Sequence, residues 1–244
     1  MSRAGDPDRL EVRIKRKSYR NAAGGHVDVL GHISLSVVRG EVAALIGQSG
    51  CGKTTLLRIV VGLDTDFEGA VQLPAHGRLG VVFQESRLLP WRTVEQNVRL
   101  AAPQATDAVL DDLFGTLGLS EHRRHYPGEL SVGLARRVAL ARAFAVDPEL
   151  LVLDEPFVSL DRELATRLRA ELAELVTRQP ITTLLVSHDV DEVIGLADRV
   201  FLFSGKPVQI VADVPIQNPR SVRTASEVAA IRNELTQRAA VESA

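Results

Sequence analysis

The chain has 244 residues with 29 basic and 31 acidic side chains, so its formal charge is −2. This balance argues against a nucleic-acid-binding protein, and a single cysteine excludes an internal disulfide. Because no apolar run approaches the roughly 20 residues of a membrane helix, and the first residues lack a signal-peptide stretch, we expect a soluble, cytoplasmic chain.

The N-terminal part has the alternation of half-buried β-strands. Leu10, Val12 and Ile14 share one face of a predicted strand, and the adjoining cluster Lys15–Arg16–Lys17 is interpreted as its solvated edge. Apolar positions over 27–37 predict a second pair of strands. Residues 42–46 are continuously apolar, as expected of a strand covered on both faces, and a helical pattern follows over 54–61.

Apolar runs recur later in the chain, at 79–83, 150–153, 183–186 and 200–203. Because helical segments separate these runs, the sequence predicts an α/β fold with a mostly parallel sheet and N-terminal antiparallel strands.

Residues 85–133 lack strand patterns and contain predicted helices over 94–101 and 105–117. We interpret this stretch as a helical subdomain inserted into a single domain, 1–244, whose core is 1–84 and 134–244. Near the end, Thr224 and Glu227 form a capping-box pattern that predicts a short amphipathic helix.

The segment GQSGCGKT at 47–54 matches the phosphate-binding pattern G-x-x-x-x-G-K-[ST]. It lies between a buried strand and a helix, where backbone N–H groups and the helix N-terminus can face a phosphate. Lys53 would bring a full charge to the phosphates, and the Thr54 hydroxyl would ligate Mg²⁺. A glycine-rich turn is the alternative, but lysine, threonine and strand together favour a nucleotide site.

Two carboxylates, Asp154 and Glu155, follow the apolar run at 150–153. Ligands of parallel sheets bind beyond the carboxyl ends of the strands, where these side chains are predicted to lie. Asp154 would hold Mg²⁺, and Glu155 would orient or deprotonate an attacking water. The pair alone is a weak signal, but with the phosphate loop it indicates a magnesium–nucleotide site.

These motifs belong to an ordered set by which the chain resembles the ATP-binding-cassette (ABC) ATPases, the motor subunits of ABC transporters. The set extends over most of the chain, from about Leu10 to Phe203. It comprises Tyr19, the loop 47–54, Gln84, LSVGL at 130–134, Asp154 and Glu155, SLD at 159–161, and His188. The resemblance implies a P-loop NTPase core with an inserted helical subdomain.

The resemblance also implies roles for single residues. Tyr19 would stack on adenine, although a strand tyrosine can simply cover a sheet edge. Gln84 would contact Mg²⁺ or the lytic water at the hinge into the helical subdomain, and His188 would reach the γ-phosphate. An isolated loop glutamine, or histidine at a strand end, is more often an ordinary polar group.

The implied site falls into three groups. The catalytic residues are Glu155, His188 and Gln84. The Mg²⁺ ligands are Thr54, Gln84 and Asp154. The nucleotide contacts are Tyr19, Gly47, Gln48, Ser49, Gly50, Cys51, Gly52, Lys53, Thr54, Thr55, Ser131, Gly133 and Asp161.

The segment 130–134 resembles the family signature LSGGQ, which contacts the γ-phosphate held by a second copy of the chain. Ser131 and Gly133 are retained, whereas Val132 and Leu134 replace a glycine and the glutamine. A β-branched valine restricts the backbone, so we expect the segment to depart from the family geometry. A simple helix N-cap at Ser131 is the alternative.

The family works as head-to-tail dimers with two ATP molecules between the copies, so the resemblance implies such a dimer. It also implies a permease on separate chains, indirectly a substrate-binding protein, and a peripheral location at the cytoplasmic face of the membrane. Residues 85–98 resemble importers of the nitrate, sulfonate and taurine group. There Trp91 would contact the permease or, alternatively, cap the core of its own subdomain.

Two other functions remain open. One is a soluble ABC protein without a transport role, which usually has two cassettes or a long coiled-coil insertion, and the charge balance argues against nucleic acid. The other is an ATP-binding scaffold with impaired hydrolysis, suggested by Val132 and Leu134. Export instead of import is possible within the main hypothesis, and the transported substrate cannot be derived from this chain.

Overall fold

The structure, a computed structural model, describes residues 8–22, 24–74 and 77–241, which fall into two units. The first unit takes the chain up to residue 75 and from 182 onward, and the second takes 76–181. The ends of the predicted domain, 1–7 and 242–244, lie outside the described residues.

The described residues form strands and helices in alternation. The strands are β1 (Arg9–Arg20), β2 (His26–Leu30), β3 (Ile33–Val38), β4 (Val42–Gly47), β5 (Glu68–Gln72), β6 (Leu79–Val82), β7 (Leu150–Asp154), β8 (Thr182–Val186), β9 (Arg199–Ser204) and β10 (Gln209–Pro215). The helices are α1 (Lys53–Val60), α2 (Val94–Ala101), α3 (Asp107–Thr116), α4 (Val132–Ala145), α5 (Arg162–Arg178), α6 (Val190–Leu196) and α7 (Ala225–Val241).

An antiparallel sheet in the first unit is built around β1. Its residues Leu10, Val12 and Ile14 are fully buried, which confirms the face predicted from the alternation. The first half of β1 pairs with β3 on one edge and β5 on the other. After a register shift at Lys17 and Ser18, the second half of β1 pairs with β2.

The other sheet of the first unit is mainly parallel. β4 is buried from Val42 to Ile46 and pairs in parallel with β8 and β9, so these three strands end at one common edge. β10 adds an antiparallel strand beside β9. The α/β fold predicted from the apolar runs is confirmed, whereas β5 and β10 were not predicted because neither has a buried apolar face.

The second unit combines β6 and β7, which are parallel, with helices α2 to α5. The extent of α2 agrees with its prediction, and α3 begins after Thr106, whose hydroxyl accepts from the Val109 N–H at 3.4 Å. α4 has little amphipathic character because most of its residues are buried. The predicted boundaries of the inserted subdomain, 85–133, remain a prediction.

The capping box before α7 is present. Glu227 Oε2 accepts from the Thr224 N–H at 2.7 Å, and the Glu227 N–H donates to Thr224 Oγ1 at 3.4 Å. α7 is 17 residues long and Leu235 is its buried residue among those described. Within the described part of the chain, no helix combines the length and apolar character that a bilayer crossing requires.

Candidate functional site

The phosphate loop joins the end of β4 to the start of α1. Gly52 caps α1 with a left-handed backbone, φ 116°, a conformation that only glycine adopts without steric strain. A Cβ atom on Gly52 would also lie 2.9 Å from Leu30 Cδ2. The last glycine of the motif is therefore required both by the turn and by packing against the end of β2.

Lys53 lies inside this turn and is only 5% exposed. Its ammonium donates to the carbonyl oxygens of Gly47, at 2.7 Å, and Gln48, at 2.9 Å. The loop thus holds a full positive charge at the start of α1, where the helix dipole is also positive. Thr54 is exposed and Thr55 half-buried in the first turn of the helix. This arrangement fits the phosphates of a nucleotide.

His188 and the phosphate loop line one cleft of about 860 Å³ in the first unit. The loop contributes Gly47, Gln48, Ser49, Gly50 and Cys51, and α7 contributes Leu235 and Thr236. The structure therefore brings these predicted residues together around a single space. The position of α7 at this cleft could not be predicted from the sequence, because an amphipathic pattern does not reveal what a helix packs against.

Hydrogen bonds of the residues before and after His188 fix the turn that carries it. Ser187 Oγ donates to Glu192 Oε2 at 2.6 Å and accepts from the Asp189 N–H at 3.0 Å. Asp189 caps α6 by accepting from the Asp191 N–H at 2.8 Å. His188 is consequently held at the carboxyl end of β8, the edge where parallel strands present ligand-binding residues.

Tyr19 lies on β1 with 39% of its surface exposed. Its hydroxyl donates to Asp64 Oδ2 at 2.8 Å, and the Lys17 ammonium lies 4.5 Å from its ring centroid. The ring is thus supported by a cation, while part of its surface remains accessible. The stacking of Tyr19 on adenine stays a prediction.

The prediction that Lys17 lies on a solvated edge is wrong, because its side chain is 2% exposed. Lys17 Nζ donates to Asp64 Oδ1 at 2.8 Å and to the Asp66 carbonyl oxygen at 2.5 Å. Burial opposes the charge of Lys17, but the hydrogen bond and charge of Asp64 outweigh it and raise the lysine pKa. Burial likewise opposes the charge of Asp64, yet hydrogen bonds from Lys17 and Tyr19 lower its pKa.

In the second unit, Asp154 is the last residue of β7 and is 7% exposed. Glu155 follows with a left-handed backbone, φ 46°. A non-glycine residue in this region is strained, and such strain is found preferentially at functional sites. The turn continues through Ser159, φ 65°, to Asp161, which caps α5 by accepting from the Leu164 N–H at 2.9 Å.

Gln84 lies two residues after β6. Its carbonyl oxygen and that of Phe83 accept hydrogen bonds from Arg136, a buried residue of α4. Arg136 was not predicted, because a basic residue between apolar helix positions gives no signal of a contact with a loop 52 positions away.

Ser131 caps α4 by accepting from the Leu134 N–H at 3.3 Å, as the N-cap alternative predicts. Val132 is the first helical residue and is 61% exposed. The expected departure of this segment from the family geometry stays a prediction. Gly133 is closely packed, because a Cβ there would lie 2.3 Å from Leu164 Cδ2.

Trp91 is 68% exposed, so it does not cap the core of its own subdomain. The loop that carries it is organised by Asn97, which is 2% exposed. Asn97 Oδ1 accepts from the Leu89 N–H at 2.7 Å, and Nδ2 bonds the carbonyl oxygens of Leu89, Arg92 and Thr93. The chain thereby presents its one tryptophan on an ordered loop.

Comparisons with known proteins agree with this geometry. A family model described as "ABC transporter" matches residues 30–158. The aliphatic sulfonates import ATP-binding protein SsuB 2 of Pseudomonas syringae pv. tomato is 43% identical over 88% of this chain and 91% of its own. SsuB 1 of Pseudomonas aeruginosa strain UCBPP-PA14 is 43% identical over 93% of this chain and 94% of its own.

Solved structures show the same fold. The ATP-binding cassette MJ0796, in a dimeric post-hydrolysis state bound to ADP and Pi, superposes with a TM-score of 0.76. The match covers 86% of this chain and 100% of that one at 23% sequence identity. A second dimeric structure of MJ0796, a bacterial ABC transporter cassette, gives a TM-score of 0.75.

Proposed function

Since the chain belongs to the ABC transporter family, we propose that it is the ATP-hydrolysing subunit of an importer of small anions, in particular aliphatic sulfonates. The observation that carries the ATPase role is the structure of the phosphate loop. Two of its carbonyl oxygens hold the Lys53 ammonium, and the loop lines the same cleft as His188. The substrate class is supported by the SsuB relatives, which are named as import proteins for aliphatic sulfonates.

ATP is the substrate of the reaction. Residues Gly47 to Thr55 would bind its phosphates, with Lys53 neutralising the charge of the β- and γ-phosphoryl groups. Tyr19 would stack on the adenine ring. Support for this role is the partly exposed ring, which Lys17 and Asp64 hold in place.

We propose that Thr54, Gln84 and Asp154 hold Mg²⁺. Their hydroxyl, amide and carboxylate oxygens are the donor types this hard cation prefers. When bound, the ion would neutralise charge that develops on the phosphoryl oxygens.

Hydrolysis would proceed by attack of a water oxygen on the γ-phosphorus and cleavage of the bond to the β–γ bridging oxygen. Glu155 would accept the proton of the water, and His188 would hydrogen-bond a γ-phosphoryl oxygen. The buried Asp154 beside the strained Glu155 supports a functional role for this turn.

The working form would be a head-to-tail dimer with two ATP molecules at its interface. Ser131, Gly133 and Asp161 of one copy would contact the nucleotide of the other, and the N-terminal position of Ser131 and Gly133 on α4 suits an anion. The solved structures of MJ0796, which are dimeric, support this assembly.

A membrane permease on separate chains would convert closing and opening of the dimer into uptake. The chain would lie at the cytoplasmic face of the membrane as one ABC domain, core 1–84 and 134–244 with the helical insertion 85–133. Trp91 is the proposed permease contact, supported by its exposure on the loop that Asn97 organises. A substrate-binding protein would deliver the anion on the other side.

Uptake of radiolabelled ethanesulfonate tests the transport role. We expect cells that depend on this chain and its permease to accumulate the label with the wild-type protein but not with Glu155→Gln. The matched control Glu174→Gln, on the exposed face of α5, should leave uptake unchanged. Equal uptake by wild type and Glu155→Gln would refute the proposal. Uptake of nitrate but not of ethanesulfonate would show that the transported substrate is another small anion and not a sulfonate.

A further inference from the structure

Two arginines of α4 hold the backbone of residues 83–87, here called the Gln84 segment. Arg136 Nη1 donates to the Phe83 carbonyl oxygen at 2.6 Å, and Nη2 donates to that of Gln84 at 2.5 Å. Six positions further along the helix, Arg142 donates to the carbonyl oxygens of Ser86 and Arg87, both at 2.9 Å. Four main-chain carbonyls of one short loop thus bond to one helix.

These contacts are unusual because a buried guanidinium, that of Arg136, and a half-buried one, that of Arg142, bond neutral carbonyl oxygens. Arg136 is 3% exposed, and its Nε has no hydrogen-bond partner in the described part of the chain. Burial lowers the pKa of both guanidinium groups. Retaining two such charges is costly for stability alone, which favours a role in fixing the loop.

The loop that they fix does not adopt a relaxed conformation. Arg87 has a left-handed backbone, φ 47°, and its carbonyl oxygen accepts from Arg142. A non-glycine residue persists in this conformation only when its surroundings hold it there. The arginine pair therefore determines the course of the chain immediately after Gln84.

The same helix begins at the signature segment, 130–134. Ser131 caps it, Val132 is exposed on its first turn, and Arg136 lies about one turn further along. Because an α-helix moves as a rigid element, a displacement of the signature segment is transmitted to Arg136 and from there to the Gln84 carbonyl. The signature segment and Gln84 are consequently joined by one helix and one bidentate contact.

We propose that Arg136 is a positioning residue that places Gln84 according to the position of the signature segment. This inference rests on the proposed function, in which the signature segment contacts the nucleotide of the partner copy and Gln84 serves the nucleotide of its own. Arg136 then makes hydrolysis at one site depend on engagement of the other, while ATP binding to the phosphate loop does not require it. Arg142 supports the same segment further from Gln84.

The test compares Arg136→Met, Arg136→Lys and the matched control Arg137→Met in the full-length chain with its permease. Arg137 lies on the same helix but bonds the Leu117 carbonyl oxygen and Glu171, away from Gln84. We expect Arg136→Met to lower kcat about tenfold while the ATP Kd changes less than about twofold. Arg136→Lys keeps the charge without the bidentate geometry, so its kcat should be intermediate.

Arg137→Met removes contacts of the same helix that lie away from Gln84, so it reports a purely structural effect. If Arg136→Met and Arg137→Met lower kcat and ATP binding together, or if neither changes kcat, the inference is wrong. Should Arg136→Met fail to fold, Arg136→Lys provides the test. The inference then requires that Arg136→Lys lowers kcat while the ATP Kd stays nearly unchanged. Absence of hydrolysis by the wild-type chain would instead refute the proposed function.

Discussion

Among single residues, Lys53 is the most important for nucleotide binding, since the carbonyls of Gly47 and Gln48 fix its ammonium within the phosphate loop. Lys53→Met should weaken ATP binding by about 30-fold or more, because charge-assisted hydrogen bonds contribute about 1.5–3 kcal/mol each. Equilibrium binding of a fluorescent ATP analogue measures this loss. The control Arg58→Met, in the last turn of the same helix, should bind as wild type does; equal losses in both variants would contradict a phosphate role for Lys53.

Cys51 gives a second test at this scale, since it lines the cleft with His188 and its sulfur lies 3.9 Å from Lys53 Nζ. We expect alkylation of this thiol to block ATP binding, because the added group would fill the phosphate loop. Mg-ATP should in turn protect the thiol. Labelling rates measured by mass spectrometry decide this directly, as no other cysteine competes. Identical rates with and without nucleotide would place ATP elsewhere.

At the element scale, Asn97 of α2 is predicted to stabilise the loop that carries Trp91. Asn97→Ala removes four part-buried hydrogen bonds to the backbone of Leu89, Arg92 and Thr93, which should cost about 2–3 kcal/mol. The adjacent control Gln96→Ala affects an exposed capping box and should cost about 1 kcal/mol. Urea unfolding measures both values, and equal costs would show that the loop does not depend on Asn97.

The contact between β1 and the residues before β5 should be sensitive to acid. The pKa of Asp64 is lowered in the folded chain, so its contribution to stability is present above the ordinary aspartate pKa of about 4 and is lost as pH falls through the lowered value. We therefore expect the Tm of the wild type to fall more steeply below about pH 4 than that of Asp64→Asn. Parallel curves for the two proteins would exclude this contribution.

At the scale of the whole molecule, the sequence predicts the elements that repeat a pattern over several residues. The buried strand β4, the helix α2 and the capping box of α7 follow directly from the apolar periodicity and the capping residues. The edge strands β5 and β10 were missed because their residues are mostly exposed or half-buried. A strand that packs little apolar surface leaves almost no pattern in the sequence.

The candidate site shows the same division. The phosphate loop and the two carboxylates could be proposed from the sequence because their chemistry requires fixed residue types at fixed spacing. The buried positions of Lys17 and Arg136 could not be predicted, because each side chain bonds groups about 50 positions away and neither residue belongs to a spaced motif. A basic residue on a strand or helix is ordinarily solvated, so only the fold reveals that these two are buried.

We propose that the chain hydrolyses ATP with Glu155 as the base. Release of inorganic phosphate from Mg-ATP, measured for the wild type and Glu155→Gln reconstituted with the permease, tests it most directly. We expect turnover by the wild type, and a rate lower by about a hundredfold or more in Glu155→Gln with ATP still bound. A wild-type chain that binds ATP yet releases no phosphate, or a Glu155→Gln variant that turns over at the wild-type rate, would contradict it.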